Sequence, residues 1–284
     1  MVNRKFFFFL SLLLLPLFSG CLATRFSHSL RNENYQGHYI PISFISQKGH
    51  RCGPATLAMT LNYWGKRITQ EEIAKNLYLP ALRGSLTFDL ESYPRKFGLY
   101  SYSYQGDLSD LKEKLNKDVP IIVLLGTGPF FYRIYHYVLV VGYWDKENMV
   151  VMHSGKKKNC LMPYDVFLKK WEISDYWALV VCPPEKISWP LTEEESLGLA
   201  RFYFDLANQD LEKELFEKAA AQYKKAIKLN PEFADAYNNL AWVYYQQKKN
   251  LAEAVNLVQN ALKLNPAHQK YYLDTLKQIK KIQN

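Results

Sequence analysis

Between Tyr39 and Cys182 the apolar positions switch repeatedly between helical and strand-like spacing. From Cys52 to Trp64, Leu57, Leu61 and Trp64 share one face, with Ala55, Ala58, Met59 and Asn62 on its flank, which predicts a helix. Thr69-Gln-Glu-Glu72 is a capping-box start for a second, shorter helix. Leu108 to Asn116 is spaced for a third, and Pro120 to Leu125 reads as a buried strand. Tyr135 to Tyr143 is almost wholly apolar and β-branched, the pattern of a strand covered on both faces. Trp144 to Asn148 reads as a turn, Met149 to Met152 as the returning strand and Tyr176 to Cys182 as one more. Mixed helices and strands of this kind predict an α+β domain over residues 39–183.

Pro183-Pro184, Pro190 and the acidic run Glu193 to Glu195 mark a linker, residues 184–196. From 197 to 284 the pattern is helical and repetitive. Ala219, Tyr223, Ala226 and Pro231 recur as Ala254, Val258, Ala261 and Pro266, a shift of 35 residues. The segments Ala-Ile-Lys-Leu-Asn-Pro231 and Ala-Leu-Lys-Leu-Asn-Pro266 are nearly identical. This resembles the tetratricopeptide repeat, whose usual period is about 34, with the extra residue in the Lys248-Lys-Asn250 turn. Two copies and a final helix, Tyr271 to Ile282, fall short of the three repeats usually needed. Docking on the preceding domain or on another subunit is expected to complete that core.

The amino terminus differs from both. Arg4 and Lys5 precede an apolar run, Phe6 to Phe18, and Ser19-Gly20-Cys21 follows. The run is shorter than the ~20 residues of a spanning helix, so residues 1–20 read as a secretory signal. With a cysteine directly after the small residues it resembles a bacterial lipoprotein signal. That resemblance implies acylation at Cys21, a polar tether over 21–38, and a lipid-anchored protein of the bacterial cell envelope. In a host with two membranes, Leu22 after the cysteine implies the outer membrane, facing the periplasm.

A formal charge of +9 over 284 residues is spread without a basic stripe or interleaved aromatics. Nucleic acid is therefore not an expected partner. Beyond Cys21 stand Cys52, Cys160 and Cys182, an odd number that leaves at least one thiol free. Cys160 and Cys182 are able to pair on sequence grounds.

Gln47-Lys-Gly-His-Arg-Cys52-Gly-Pro-Ala carries the chemistry. A cysteine opening a helix sits where unpaired amides and the positive dipole end favour thiolate. Gln47 is placed to offer its side-chain amide to an oxyanion, with the Cys52 backbone N–H as second donor. His136, at the start of an otherwise apolar strand, is the candidate base for the thiol proton. Together, Gln-x4-Cys-Gly-Pro followed by His-Tyr-Val resembles the bacteriocin-processing (double-glycine) cysteine peptidases, whose fold is papain-like. The resemblance implies Cys52 as nucleophile, His136 as general base and Gln47 as oxyanion-hole residue, with no cofactor.

That family carries an aspartate at the end of the strand after the histidine, where this chain reads Val151-Met152-His153-Ser154-Gly155. An antiparallel return would bring His153 beside His136, making it the candidate orienting residue. Asp145 falls in the turn. The chain has no Gly-x4-Gly-Lys-Ser/Thr loop, so it looks more like stand-alone lipoproteins that join such a peptidase to tetratricopeptide repeats.

The expected function is a membrane-anchored cysteine peptidase acting on a peptide or protein, its repeats binding a protein partner or substrate. A non-catalytic adaptor and a papain-fold acyltransferase or amidase are the alternatives. A zinc site formed by Cys52, His136 and His153 is a further alternative chemistry. His50 reads as loop surface. The stretch Gly126 to Tyr132 reads either as a wall of a substrate groove or as a loop folded onto the core. Lys156 to Lys158 reads as a solvated turn or a cationic rim.

Overall fold

The computed structural model describes residues 36–283. The signal at 1–20, Cys21 and most of the tether lie outside the described residues. Seven strands form one antiparallel sheet: β1 (Gly37–Tyr39), β2 (Tyr100–Gln105), β3 (Ile121–Thr127), β4 (Ile134–Trp144), β5 (Met149–Ser154), β6 (Lys157–Pro163) and β7 (Trp177–Cys182). Their order is β2-β7-β3-β4-β5-β6, and β1 pairs with the far end of β4, where β3 has ended. Residues 137–143 of β4 are buried without interruption, so both faces of this central strand are covered, as its unbroken apolar run requires.

Helices α1 (Cys52–Tyr63), α2 (Gln70–Leu77), α3 (Thr87–Ser92), α4 (Leu108–Asn116) and α5 (Tyr164–Glu172) surround the sheet. α1 packs on β4 and α5 on β3. The expected capping box at α2 is formed in full by Thr69 and Glu72. Several chain segments differ from their sequence reading: α3, α5 and β6 have no counterpart in it, and Lys157 and Lys158, read as a turn or rim, open β6. β1 takes in Gly37 and His38, assigned above to the tether, because the backbone there finds β4 partners. The first repeat helix begins at Glu193, inside the expected linker, with Thr192 and Glu195 closing a second capping box. β2 has no counterpart in the sequence reading either: Tyr100-Ser-Tyr-Ser-Tyr alternates, but Tyr100 and Tyr102 pack against another layer.

That layer is the repeat module, five helices: α6 (Glu193–Glu212), α7 (Phe216–Leu229), α8 (Ala234–Gln247), α9 (Leu251–Leu264) and α10 (Gln269–Gln283). α6 packs with α7 and α8 with α9, and Ala226 and Ala261 are fully buried where the helices touch. The missing core surface comes from the first domain, one of the two routes expected from the short repeat count. The Tyr100 ring meets Phe202 edge-on at 5.9 Å and its hydroxyl donates to the Glu195 carbonyl at 3.3 Å. Tyr100 thus belongs to the repeat core although it sits in a strand of the sheet.

Cys182 is a free, buried thiol paired across the sheet with Tyr100, so the possible Cys160–Cys182 bridge is not formed. No helix among the described residues is long and apolar enough to cross a membrane.

Candidate active site

Three chain segments meet where β4 begins. The first is the start of α1. Cys52 is its first helical residue, and Gly53 and Pro54 fit the first turn, where amides have no intrahelical acceptor. The Thr56 hydroxyl donates to the carbonyls of Gly53 and Cys52, tightening that turn. The half-buried thiol of Cys52 lies against the backbone amides of Gly53, Tyr137 and its own residue. Tyr137 directly follows His136, so the β4 backbone brings the expected nucleophile and base to one place.

Burial nevertheless pushes the Cys52 thiol above its ordinary value, outweighing the three amides that favour thiolate. The amides at the helix start do favour thiolate, as expected, but desolvation of the thiol is the larger contribution. Burial likewise lowers the His136 imidazole. No hydrogen-bond or charged partner of its ring occurs among the described residues. Thiol and imidazole therefore rest in their neutral forms, and the base is unprotonated near neutral pH.

The second segment carries Gln47. Its backbone N–H donates to the Gly155 carbonyl at 3.0 Å. Its side-chain amide nitrogen donates to the Gly49 carbonyl at 2.6 Å, leaving Oε1 buried and without a hydrogen bond. The third segment is the β5–β6 turn. A Cβ built on Gly155 would lie 3.7 Å from both Gln47 Oε1 and His136 Nε2. Gln47, His136 and Gly155 therefore converge on one point, but the amide end of Gln47 facing it is the acceptor. Gly155, with φ of +61°, is a residue the motif reading missed. A glycine directly after the expected third position was its only signal.

His153 does not join them. The register pairs it with Leu139, three residues from His136 along β4, and alternation sends side chains an odd number apart to opposite sides of a strand. Its ring is fully buried, and both nitrogens are engaged by backbone. Nε2 bonds the Ile42 carbonyl at 3.1 Å and so carries the proton, while Nδ1 accepts the Asn159 N–H at 3.2 Å. Phe44 packs edge-on against it at 5.4 Å. The expectation that His153 orients His136 is therefore corrected: a one-residue bulge beside Gly142 sets the register, and His153 is a buried tie between strand and entry loop. The zinc alternative falls with it, since neither nitrogen is available. Asp145 sits at the far end of β4, bonded to Lys112 and to the Tyr164 hydroxyl. His50 is exposed on the loop.

A second concave feature lies in the repeats. A groove of about 950 Å³ is lined by Phe204 of α6, Asp235 and Asn239 of α8, and His268, Tyr271 and Lys277 around α10.

A half-buried cysteine opening a helix, a histidine on the central strand and an antiparallel sheet define a papain-like domain, here followed by helical repeats. Residues 39–179 match the Peptidase_C39-like family, and 207–248 and 234–268 match tetratricopeptide repeats. The chain carries a Peptidase_C39-like domain with C-terminal tetratricopeptide repeats. Among solved structures it is similar to a double-glycine-motif protease from an AMS/PCAT transporter in complex with the leader peptide, at 20% identity. That match covers 51% of this chain and 94% of that one, with TM-score 0.41. A C39-like peptidase from Bacillus anthracis is 14% identical, covering 51% and 97%, with TM-score 0.41. The peptidase domain of Streptococcus ComA, a bi-functional ABC transporter, is 20% identical, covering 51% and 99%, also with TM-score 0.41. Stress-induced-phosphoprotein 1 of Caenorhabditis elegans is 42% identical over 60 residues, 21% of this chain. The chain covers only 18% of that relative's length.

Proposed function

We propose that the protein is a cysteine peptidase whose nucleophile is Cys52. The observation that carries this reading is the Cys52 thiol at the start of α1 against the Tyr137 amide, one residue from His136. His136 takes the thiol proton as sulfur attacks the scissile carbonyl, and the carbon–sulfur bond forms. The imidazolium returns that proton to the departing amine as the carbon–nitrogen bond breaks. Water, deprotonated by the same ring, then cleaves the acyl-enzyme. The Cys52 N–H, free of an intrahelical acceptor, is one oxyanion donor. Gln47 becomes the second when its amide turns from Gly49 toward the substrate. No residue of the mechanism calls for a cofactor.

The repeats, in this reading, bind a protein partner or hold the substrate in the groove between α6, α8 and α10. Acylation of Cys21 would tether both domains to the bacterial envelope, at the outer membrane facing the periplasm in a two-membrane host.

The test is labelling with a peptidyl electrophile that modifies active-site thiols. Wild type should label, Cys52→Ala should not, and His136→Ala should label at least tenfold more slowly, since a positioned base contributes about 10²–10⁴-fold. Among the described residues no carboxylate acts on His136, which favours the second reading, a peptide-binding adaptor with an idle thiol. Wild type and His136→Ala labelling at equal rates would establish that instead.

A further inference from the structure

Two short loops beside the cleft hold apolar side chains outward, and both are built rather than slack. Residues 79–84 close on themselves, with Leu79 N–H donating to the Gly84 carbonyl at 2.8 Å around a 3-10 turn. The β3–β4 hairpin tip is closed by the Tyr132 N–H to the Pro129 carbonyl at 2.9 Å. There Gly128, at φ +98°, is required because a Cβ would lie 2.3 Å from the Tyr132 carbonyl oxygen. The first turn presents Leu82, the residues after it Leu86 and, on the first turn of α3, Phe88, while the hairpin tip presents Phe130, Phe131 and Tyr132. Phe130 and Phe131 are each 87% exposed and Phe88 75%. The alternative that the hairpin folds onto the core is therefore excluded.

A contact beside the cleft joins the two segments. Ser85 packs against Gly53 beside Cys52, and its carbonyl accepts the hydroxyl of Tyr137, which lies just inside the hairpin on β4. Residues 79–89 contain Arg83 and Asp89, the latter close enough to Tyr137 to act on its hydroxyl, and residues 127–136 contain Arg133 and no acid. The Arg133 guanidinium lies over the Phe130 ring. Gly155, next to His136, leads into the exposed Lys156, Lys157 and Lys158.

We propose that this face docks on an anionic lipid surface, with Phe130, Phe131 and Phe88 entering the headgroup boundary and the surrounding arginines and lysines contacting phosphates. The charge is complementary: against Asp89 stand Arg83, Arg133 and Lys156 to Lys158, and exposed apolar rings beside a net cationic surface match an apolar interior beneath anionic headgroups. Shape favours lipid over a folded partner: Phe130 and Phe131 stand at a hairpin tip and Phe88 on the first turn of α3, all largely exposed, and a deformable surface covers them without a matching pocket. This goes beyond the peptidase reading and does not depend on it. Its consequence is that the Cys52–His136 cleft would open toward the membrane.

The test uses the full-length protein and a local readout, tryptic cleavage after Arg133 followed by mass spectrometry. Phosphatidylglycerol vesicles should slow this cleavage about tenfold or more, the scale expected for burying one large apolar side chain, and phosphatidylcholine vesicles much less. Cleavage after Lys213 in the repeats should be unaffected, which separates docking of this face from attachment of the chain elsewhere. Phe130→Ser/Phe131→Ser should remove the protection while leaving cleavage without vesicles and the thermal midpoint unchanged. Equal cleavage at Arg133 with and without anionic vesicles would overturn the proposal. So would protection by a soluble apolar peptide but not by vesicles, which would assign the face to a peptide.

Discussion

Replacing His153 distinguishes a structural tie from a catalytic orienter. In His153→Leu the Ile42 carbonyl and the Asn159 N–H lose their partners inside the protein. Each unsatisfied buried group costs about 1–3 kcal/mol, so the variant should lose roughly 2–6 kcal/mol of stability. His153→Gln retains an amide donor and acceptor and should recover most of that loss. His153→Asp replaces the donor with a carboxylate facing the Ile42 carbonyl, and should destabilise at least as much as leucine. Burial lowers the His153 pKa, so the unfolded chain binds more protons wherever pH lies between the lowered native value and about 6.5. Its stability contribution is complete above about pH 6.5 and is lost as pH falls from there through the native value. In His153→Gln this share of the acid loss should vanish, leaving that of His136, which is shifted in the same direction. Urea unfolding between pH 5 and 8, with Cys52 labelling measured on the folded fraction, reads both properties. If His153→Leu unfolds at the wild-type urea concentration while labelling falls tenfold, His153 acts through His136 and the structural reasoning is wrong.

Three further outcomes follow from the same contacts. Because burial raises the Cys52 thiol, its alkylation by iodoacetamide should keep rising with pH beyond the ordinary thiol value of about 8.5; a plateau below pH 7 would show a stable thiolate. Ala226→Phe should overpack the α7 contact by roughly 1–3 kcal/mol, measured by urea denaturation, while Cys52 labelling survives. Tyr100→Ala removes the ring shared by sheet and repeats. It should cost about 3–5 kcal/mol and split thermal unfolding into two calorimetric transitions, whereas a single transition at the wild-type midpoint would refute the shared core.

Much of this architecture is readable from residue order alone. The apolar run of β4, the helix opened by Cys52, the Thr69 capping box and the doubled Asn-Pro repeat ends are local patterns. Local physics is enough to form them: strand alternation, orphan amides and helix-face spacing act over a few residues. The segments carrying Gln-x4-Cys and His-Tyr-Val do meet in space, Cys52 at the start of α1 and His136 near the start of β4. The environment around those motifs is not local. The thiol and imidazole shifts depend on burial, which only the packed α1, β4 and entry loop create. The place of His153 depends on a bulge near Gly142 that moves the register, and no spacing rule in β5 reveals a bulge in β4. Tyr100 falls in no element read from the sequence, and its ring completes a helical core formed about a hundred residues later. Spacing along the chain determines which elements form. Which side chains meet across them is decided by register and packing between distant segments, and at this site that decision exchanged an expected catalytic histidine for a buried structural one.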